Sequence, residues 1–222
     1  MTHSFRRAAL VGVPLLALAL TGCAKDKGEL VVSGGVGVTA LRSPCPTVGI
    51  PDYTGDITLF TSPDRTDEGA IDVSATMTRL RSQCNDAAGD PKLYTSATFE
   101  VYGTRTDTHG ARQVQLPYFV TVVRGGGAVV SKRVGTVTLN FADGQGRAAA
   151  QGQAGAFVDR AEATLPDDIK RKLSEKRRAG EEDAAIDPLS LPEVKAALAR
   201  ATFEVLVGFQ LDRAQLAYNV TR

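Results

Sequence analysis

The chain has 222 residues, with 26 Lys and Arg against 25 Asp and Glu and a formal net charge of +1. That length suits one domain, or one domain carrying a substantial insertion. A composition 43% hydrophobic and 23% charged is that of a globular protein and excludes a disordered chain. Balanced charge argues against a general nucleic-acid binder, and two His with no Trp leave little room for His-based metal chemistry.

The first segment reads as a targeting signal. Arg6 and Arg7 precede Ala8–Leu20, a run without charge that is interrupted by Pro14. It is shorter than the ~20 apolar residues a spanning helix needs. A basic start followed by a short apolar stretch is the pattern of a secretory signal. No later uncharged apolar run is long enough to span a bilayer.

The run ends in Leu20-Thr21-Gly22-Cys23, which resembles the lipobox of bacterial lipoproteins. The resemblance implies cleavage before Cys23, a diacylglycerol on its sulfur and acylation of the new N-terminus. Two or three acyl chains, at ~0.8 kcal/mol per buried CH₂, anchor a protein stably where one chain is marginal. Residues 1–22 are then a signal peptide, 23–28 a tether and 29–222 one domain. Ala24 stands where, in Gram-negative lipoproteins, Asp favours the inner membrane. The implied location is therefore the outer membrane, facing the periplasm.

Three Cys are present. With Cys23 lipidated, Cys45 and Cys84 form an even pair, and an oxidising envelope compartment predicts a disulfide between them. It would close a loop of about 40 residues, worth roughly 4 kcal/mol at the upper end of loop-closure estimates. No CxxC motif or neighbouring His supports a metal pair or a catalytic thiol.

Most of the domain reads as strand. Ile71, Val73, Ala75 and Met77 alternate with polar residues, as do Ala97, Phe99 and Val101, and Val137, Leu139 and Phe141. Phe203, Val205, Val207, Phe209 and Leu211 keep the same period. Each pattern puts one face on a core and the other in water. The second of these lies in a strand near 94–105; further strands are expected near 29–42, 56–61, 112–124 and 128–134. Asp107-Thr108-His109-Gly110, Gly125-Gly126-Gly127 and Asp143-Gly144-Gln145-Gly146 are turn sequences and predict a meander of antiparallel neighbours. The expected fold is an antiparallel β-sandwich, Ig-like or related, with a small barrel as the alternative.

A helical insertion is expected near 165–200. Thr164-Leu165-Pro166-Asp167 has a capping Thr, a first-turn Pro and an acid at the positive end. The charged run 167–183 follows, with Asp167 and Arg171, and Asp168 and Lys172, four residues apart. Ser190 to Glu193 and Asp212 to Gln215 have the spacing of capping boxes. The first opens a helix burying Leu191, Val194 and Leu198. The second opens a final turn carrying Leu216.

Candidate chemistry is sparse. Gly35-Val36-Gly37 imitates a dinucleotide fingerprint, but Ser43-Pro44-Cys45 follows where that motif needs a helix. His109 falls in a turn, and no G-x-S-x-G elbow exists. Paired carboxylates of the glycosidase kind cannot be recognised from spacing alone. Arg79 with Arg81, or Lys132 with Arg133, could meet anionic polymers, although such charges commonly protect strand faces. Tyr94, Tyr102 and Tyr118 could stack on sugars or simply pack. Asn219-Val220-Thr221 matches a glycosylation sequon that carries no weight in a bacterial lipoprotein.

The reading is a lipid-anchored, non-enzymatic interaction or structural module of the cell envelope. It has no cofactor, metal or nucleic acid. Its contacts are the membrane, through the lipid on Cys23, and an envelope protein, through the helix 166–178. The alternative is a binding protein for a lipid, a glycan or another small envelope ligand.

Overall fold

A computed structural model describes residues 43–62, 64–175 and 186–221. The expected signal, tether, Cys23, strand near 29–42 and Gly35-Val36-Gly37 lie outside the described residues.

Eight strands build two four-stranded sheets among the described residues. They are β1 (Thr47–Gly49), β2 (Asp56–Phe60), β3 (Ile71–Asn85), β4 (Lys92–Arg105), β5 (Arg112–Arg124), β6 (Ala128–Phe141), β7 (Arg147–Asp159) and β8 (Phe203–Phe209). The first sheet has the order β1-β8-β5-β6 and the second β2-β3-β4-β7. Their inner faces share one core, so the molecule is the expected β-sandwich. Val73, Ala75, Met77, Ala97, Phe99, Val101, Val137, Leu139, Phe141, Phe203, Val205, Val207 and Phe209 are all buried there, in the phase that period two predicts.

The sandwich is not wholly antiparallel. β1 runs parallel to β8, with Val48 opposite Val205. Nor is it a simple meander. Gly125-Gly126-Gly127 does join hydrogen-bonded neighbours, β5 and β6, and Gly125 takes φ 62° against the backbone of Ala199. Residues 107–110, by contrast, carry the chain from β4 in one sheet to β5 in the other. Residues 143–146 carry it back from β6 to β7. The two stretches expected near 128–134 and 137–141 are a single strand, β6.

Four α-helices lie among the described residues: α1 (Arg160–Ala163), α2 (Asp167–Ser174), α3 (Pro192–Ala201) and α4 (Arg213–Thr221). The charged helix ends at Ser174, where Glu175 turns extended; the rest of the expected charged run, 176–183, lies outside the described residues. Ile169 of α2 packs with Val194 and Ala197 of α3 in a small second core, joined by Leu173, Leu191 and Leu198. The expected charge pairs form differently. Asp167 meets Lys170 at 3.0 Å, and Lys172 reaches Glu193 of α3, also at 3.0 Å.

Two expected caps are corrected. Thr164 does not cap α2, because its hydroxyl donates back to the Arg160 carbonyl. Ser190 does not cap α3. Its hydroxyl donates to the Asp187 carbonyl inside a preceding 3-10 turn, and Leu191 precedes Pro192 at the helix start. The box at Asp212 is present: the Gln215 amide donates to Asp212 at 2.8 Å, and the Asp212 amide donates to Gln215 at 2.9 Å. It opens a full helix rather than a turn. Leu216 is 42% exposed, and Asn219 is the buried residue of α4.

Candidate functional site

Alternation along β4 puts Tyr94, Glu100, Tyr102 and Thr104 on the outer face of the second sheet. At Tyr102 that face holds an open groove of about 330 Å³, lined by Ser74, Thr76, Tyr102, Thr104 and Arg147. A β-bulge in β3 interrupts the register between Thr78 and Arg81. Within it Arg79 adopts φ 51°, a left-handed conformation that is costly for a residue with a Cβ. The bulge turns Arg79 onto Glu100 at 3.1 Å, with its guanidinium 5.9 Å from the centre of the Tyr102 ring. Tyr102 donates its hydroxyl to the same carboxylate. That hydrogen bond, then Arg79, holds the Glu100 carboxyl below its ordinary range, and Glu100 in turn raises the Tyr102 phenol. Arg79 is thus compensated rather than a free cation. Tyr94 stacks obliquely on Phe157, centroids 4.7 Å apart, on the same face. Tyr118 points elsewhere: it packs edge-on against Phe99 and donates to the Gln153 carbonyl at 2.7 Å.

A second, wider cleft of about 610 Å³ lies between residues 89–91 and the α1–α2 segment. Its cations are already engaged. Arg160 donates to Asp86 and to the Asp90 and Ala87 carbonyls, and Lys170 pairs with Asp167.

The turns that cross between sheets gather Asp72, Asp107, His109, Arg112 and Asp143. His109 meets Asp107 at 2.7 Å, yet its side chain is 94% exposed. The His109 backbone amide and ring hold Asp107 below its usual pKa. Among the described residues no hydroxyl or thiol bonds to His109, and no group of three or more His, Cys, Asp or Glu could hold a metal ion. Arg112 grips Asp72 through two hydrogen bonds of 2.6 and 2.7 Å. That grip lowers the Asp72 pKa, opposite to what a general acid requires.

Sequence reasoning missed Arg105. It is only 6% exposed, donates to the Gln145, Thr108 and Ala142 carbonyls, and stacks on Phe141 at 5.3 Å. The available signal was its phase, since it continues the inward series Phe99, Val101, Gly103. Asn219, the sequon residue, uses its amide to donate to the Tyr53 and Asp56 carbonyls at 2.8 Å.

Residues 128–134 of β6 form the most exposed strand segment. Every one of them is exposed, and Val129, Val130 and Val134 reach 64%, 56% and 59%. Lys132 lies 5.3 Å over the Phe119 ring, and neither it nor Arg133 has a carboxylate partner among the described residues.

No family model, curated protein or solved structure matches the chain. The disulfide is present: Cys45, just before β1, is bonded to Cys84 of β3. No helix among the described residues is long and apolar enough to cross a membrane.

Proposed function

We propose that the protein is a lipid-anchored module of the bacterial envelope that works by binding a partner on its surface. The observation that supports this most is the exposed half of β6. Its valines sit on a rigid sandwich whose interior is filled, with Phe99, Phe141, Phe209, Leu116 and Leu139 fully enclosed. Apolar side chains held in water on a stiff strand suit recognition. The anchor rests on the lipobox at Leu20 to Cys23. The charged helix α2 (Asp167–Ser174) offers a second surface, although its apolar side is already taken by α3.

A reading as a glycan binder draws on a different feature, the groove beside Tyr102. Hydroxyls, an aromatic ring and Arg147, which has no carboxylate partner among the described residues, are the groups that hold a polar ligand.

The test is in-cell crosslinking of the full-length protein at native level, beside a Cys23→Ala variant. We expect wild type in the membrane fraction with one reproducible protein partner, and the variant unlipidated and without it. Membrane fractionation and mass unchanged by Cys23→Ala would refute the anchor. Retention on purified glycan with no protein partner would favour the groove.

A further inference from the structure

We propose that residues 128–134 of β6 accept an extended acidic segment of another protein as an added strand. This rests on the binding reading above and names its surface and its partner.

Among the described residues two sheets have four edges, and three of them are dealt with. β2 is covered by α4, through Phe60 against Tyr218 and through the Asn219 amide. β1 is only 3 residues long. β7 is tied to the opposite sheet by the Tyr118 hydroxyl on the Gln153 carbonyl. Among the described residues β6 is paired on one side only, to β5, from end to end except for a β-bulge that leaves Val130 without an opposite residue. Its N-terminal half is exposed on both faces as well as on its edge. Natural sheets blunt such an edge with bulges, prolines or cover, because unpaired amides and carbonyls template another strand. Among the described residues the blunting devices here are one β-bulge, at Val130, and two adjacent cations.

Those cations define the partner. Alternation sends Lys132 and Arg133 to opposite faces, and neither meets a carboxylate among the described residues. A strand laid beside them gains most when it carries acids on both faces and apolar residues opposite Val129, Val130 and Val134. A second copy of β6 would not serve, because residues 128–134 contain no acid. Paired to itself, the segment would double the uncompensated positive charge. Main-chain bonds would supply affinity, and the two cations would set the choice of sequence.

A photoreactive amino acid at Val130, in cells making the full-length protein at native level, tests this. A second reporter at Phe157 samples the far sheet. We expect Val130 to join a segment of a different protein whose crosslinked peptide contains Asp or Glu. The double variant Lys132→Glu, Arg133→Glu should cut that yield by about tenfold or more, through like-charge repulsion, with unchanged thermal unfolding. A crosslink to a second β6, to residues 24–42 of the same protein, or to a segment without acids would overturn the proposal. So would a yield indifferent to the charge reversal. Crosslinks from Phe157 alone would remove the β6 site and leave the binding reading standing. Silence at both positions would end both.

Discussion

The Tyr118 hydroxyl donates to the Gln153 carbonyl at 2.7 Å, a side chain of one sheet bonded to the backbone of the other. The contact is made possible by two glycines. A Cβ at Gly135 would stand 2.6 Å from the Tyr118 ring, and one at Gly152 would stand 2.1 Å from Phe99. Phe99 and Tyr118 meet edge to face in the space so created. Tyr118→Phe should cost about 1 kcal/mol, the worth of one hydrogen bond. Gly152→Ala should cost roughly 2 kcal/mol or more, because Phe99 is fully enclosed and must be displaced. Urea unfolding of the two variants gives the order; a Gly152→Ala variant as stable as wild type would contradict this packing.

Arg105 ties together the two loops that cross between sheets. Its side chain serves carbonyls at 108, 142 and 145, and both crossings depend on it. Arg105→Ala should cost about 3 kcal/mol, since buried carbonyls lose charged donors. Arg105→Lys should rescue little, because one ammonium cannot reproduce the planar fork. Amide exchange should accelerate first at 106–111 and 142–146. Acceleration spread evenly over the sandwich would argue against this local role.

The bond between Cys45 and Cys84 spans 39 positions of sequence. Cys45→Ser with Cys84→Ser should lower stability by about 2–4 kcal/mol. Alkylation of the unreduced, unfolded wild type should find no thiol at either position. Labelling at Cys84 under those conditions would show the pair open.

Asp72 supplies an acid-sensitive part of the stability. Its native pKa is depressed by the Arg112 hydrogen bonds, so its contribution is complete above the unfolded carboxylate pKa. It is lost as pH falls through the lower native value. Asp72→Asn should therefore be less stable than wild type by about 1 kcal/mol at neutral pH, an ordinary figure for a well-formed, partly exposed pair. The difference should shrink as the solution becomes strongly acidic. Urea unfolding from pH 7 to pH 2 measures it, and a gap that widened with acid would have the wrong sign.

What could be read from the sequence follows side-chain size. Strands with large inward residues, such as Phe99 and Val101 or Leu139 and Phe141, announced themselves through period two. β7 did not, although it is one of the long strands. Most of its inward positions, Ala148, Ala150, Gly152, Ala154 and Ala156, are small, and at Gly152 the Phe99 ring of the neighbouring strand β4 fills the space, so the alternation lacks contrast. The sheet to which each strand belongs was hidden as well. Asp107-Thr108-His109-Gly110 is good turn chemistry, but a turn and a crossing use the same residues. Ser190 misled because Asp187, three residues earlier, already organises that stretch. At the surface, the cations at 132 and 133 were visible in sequence. That they lie on a sheet edge with no carboxylate partner among the described residues required the pairing of all eight strands.

The disulfide has a mechanical consequence. Cys45 lies just ahead of β1, the short parallel strand at the margin of one sheet, while Cys84 sits in β3, inside the other. Tension arriving along the chain from its N-terminal side meets the sulfur bridge before it reaches β1. The load passes covalently into the long strand β3 at Cys84, opposite Thr95 of β4, and β1 is spared from being peeled off β8. Reduction would reroute the same tension through three residue pairs of a marginal strand. Oxidation state thereby sets how much force the fold withstands at that end.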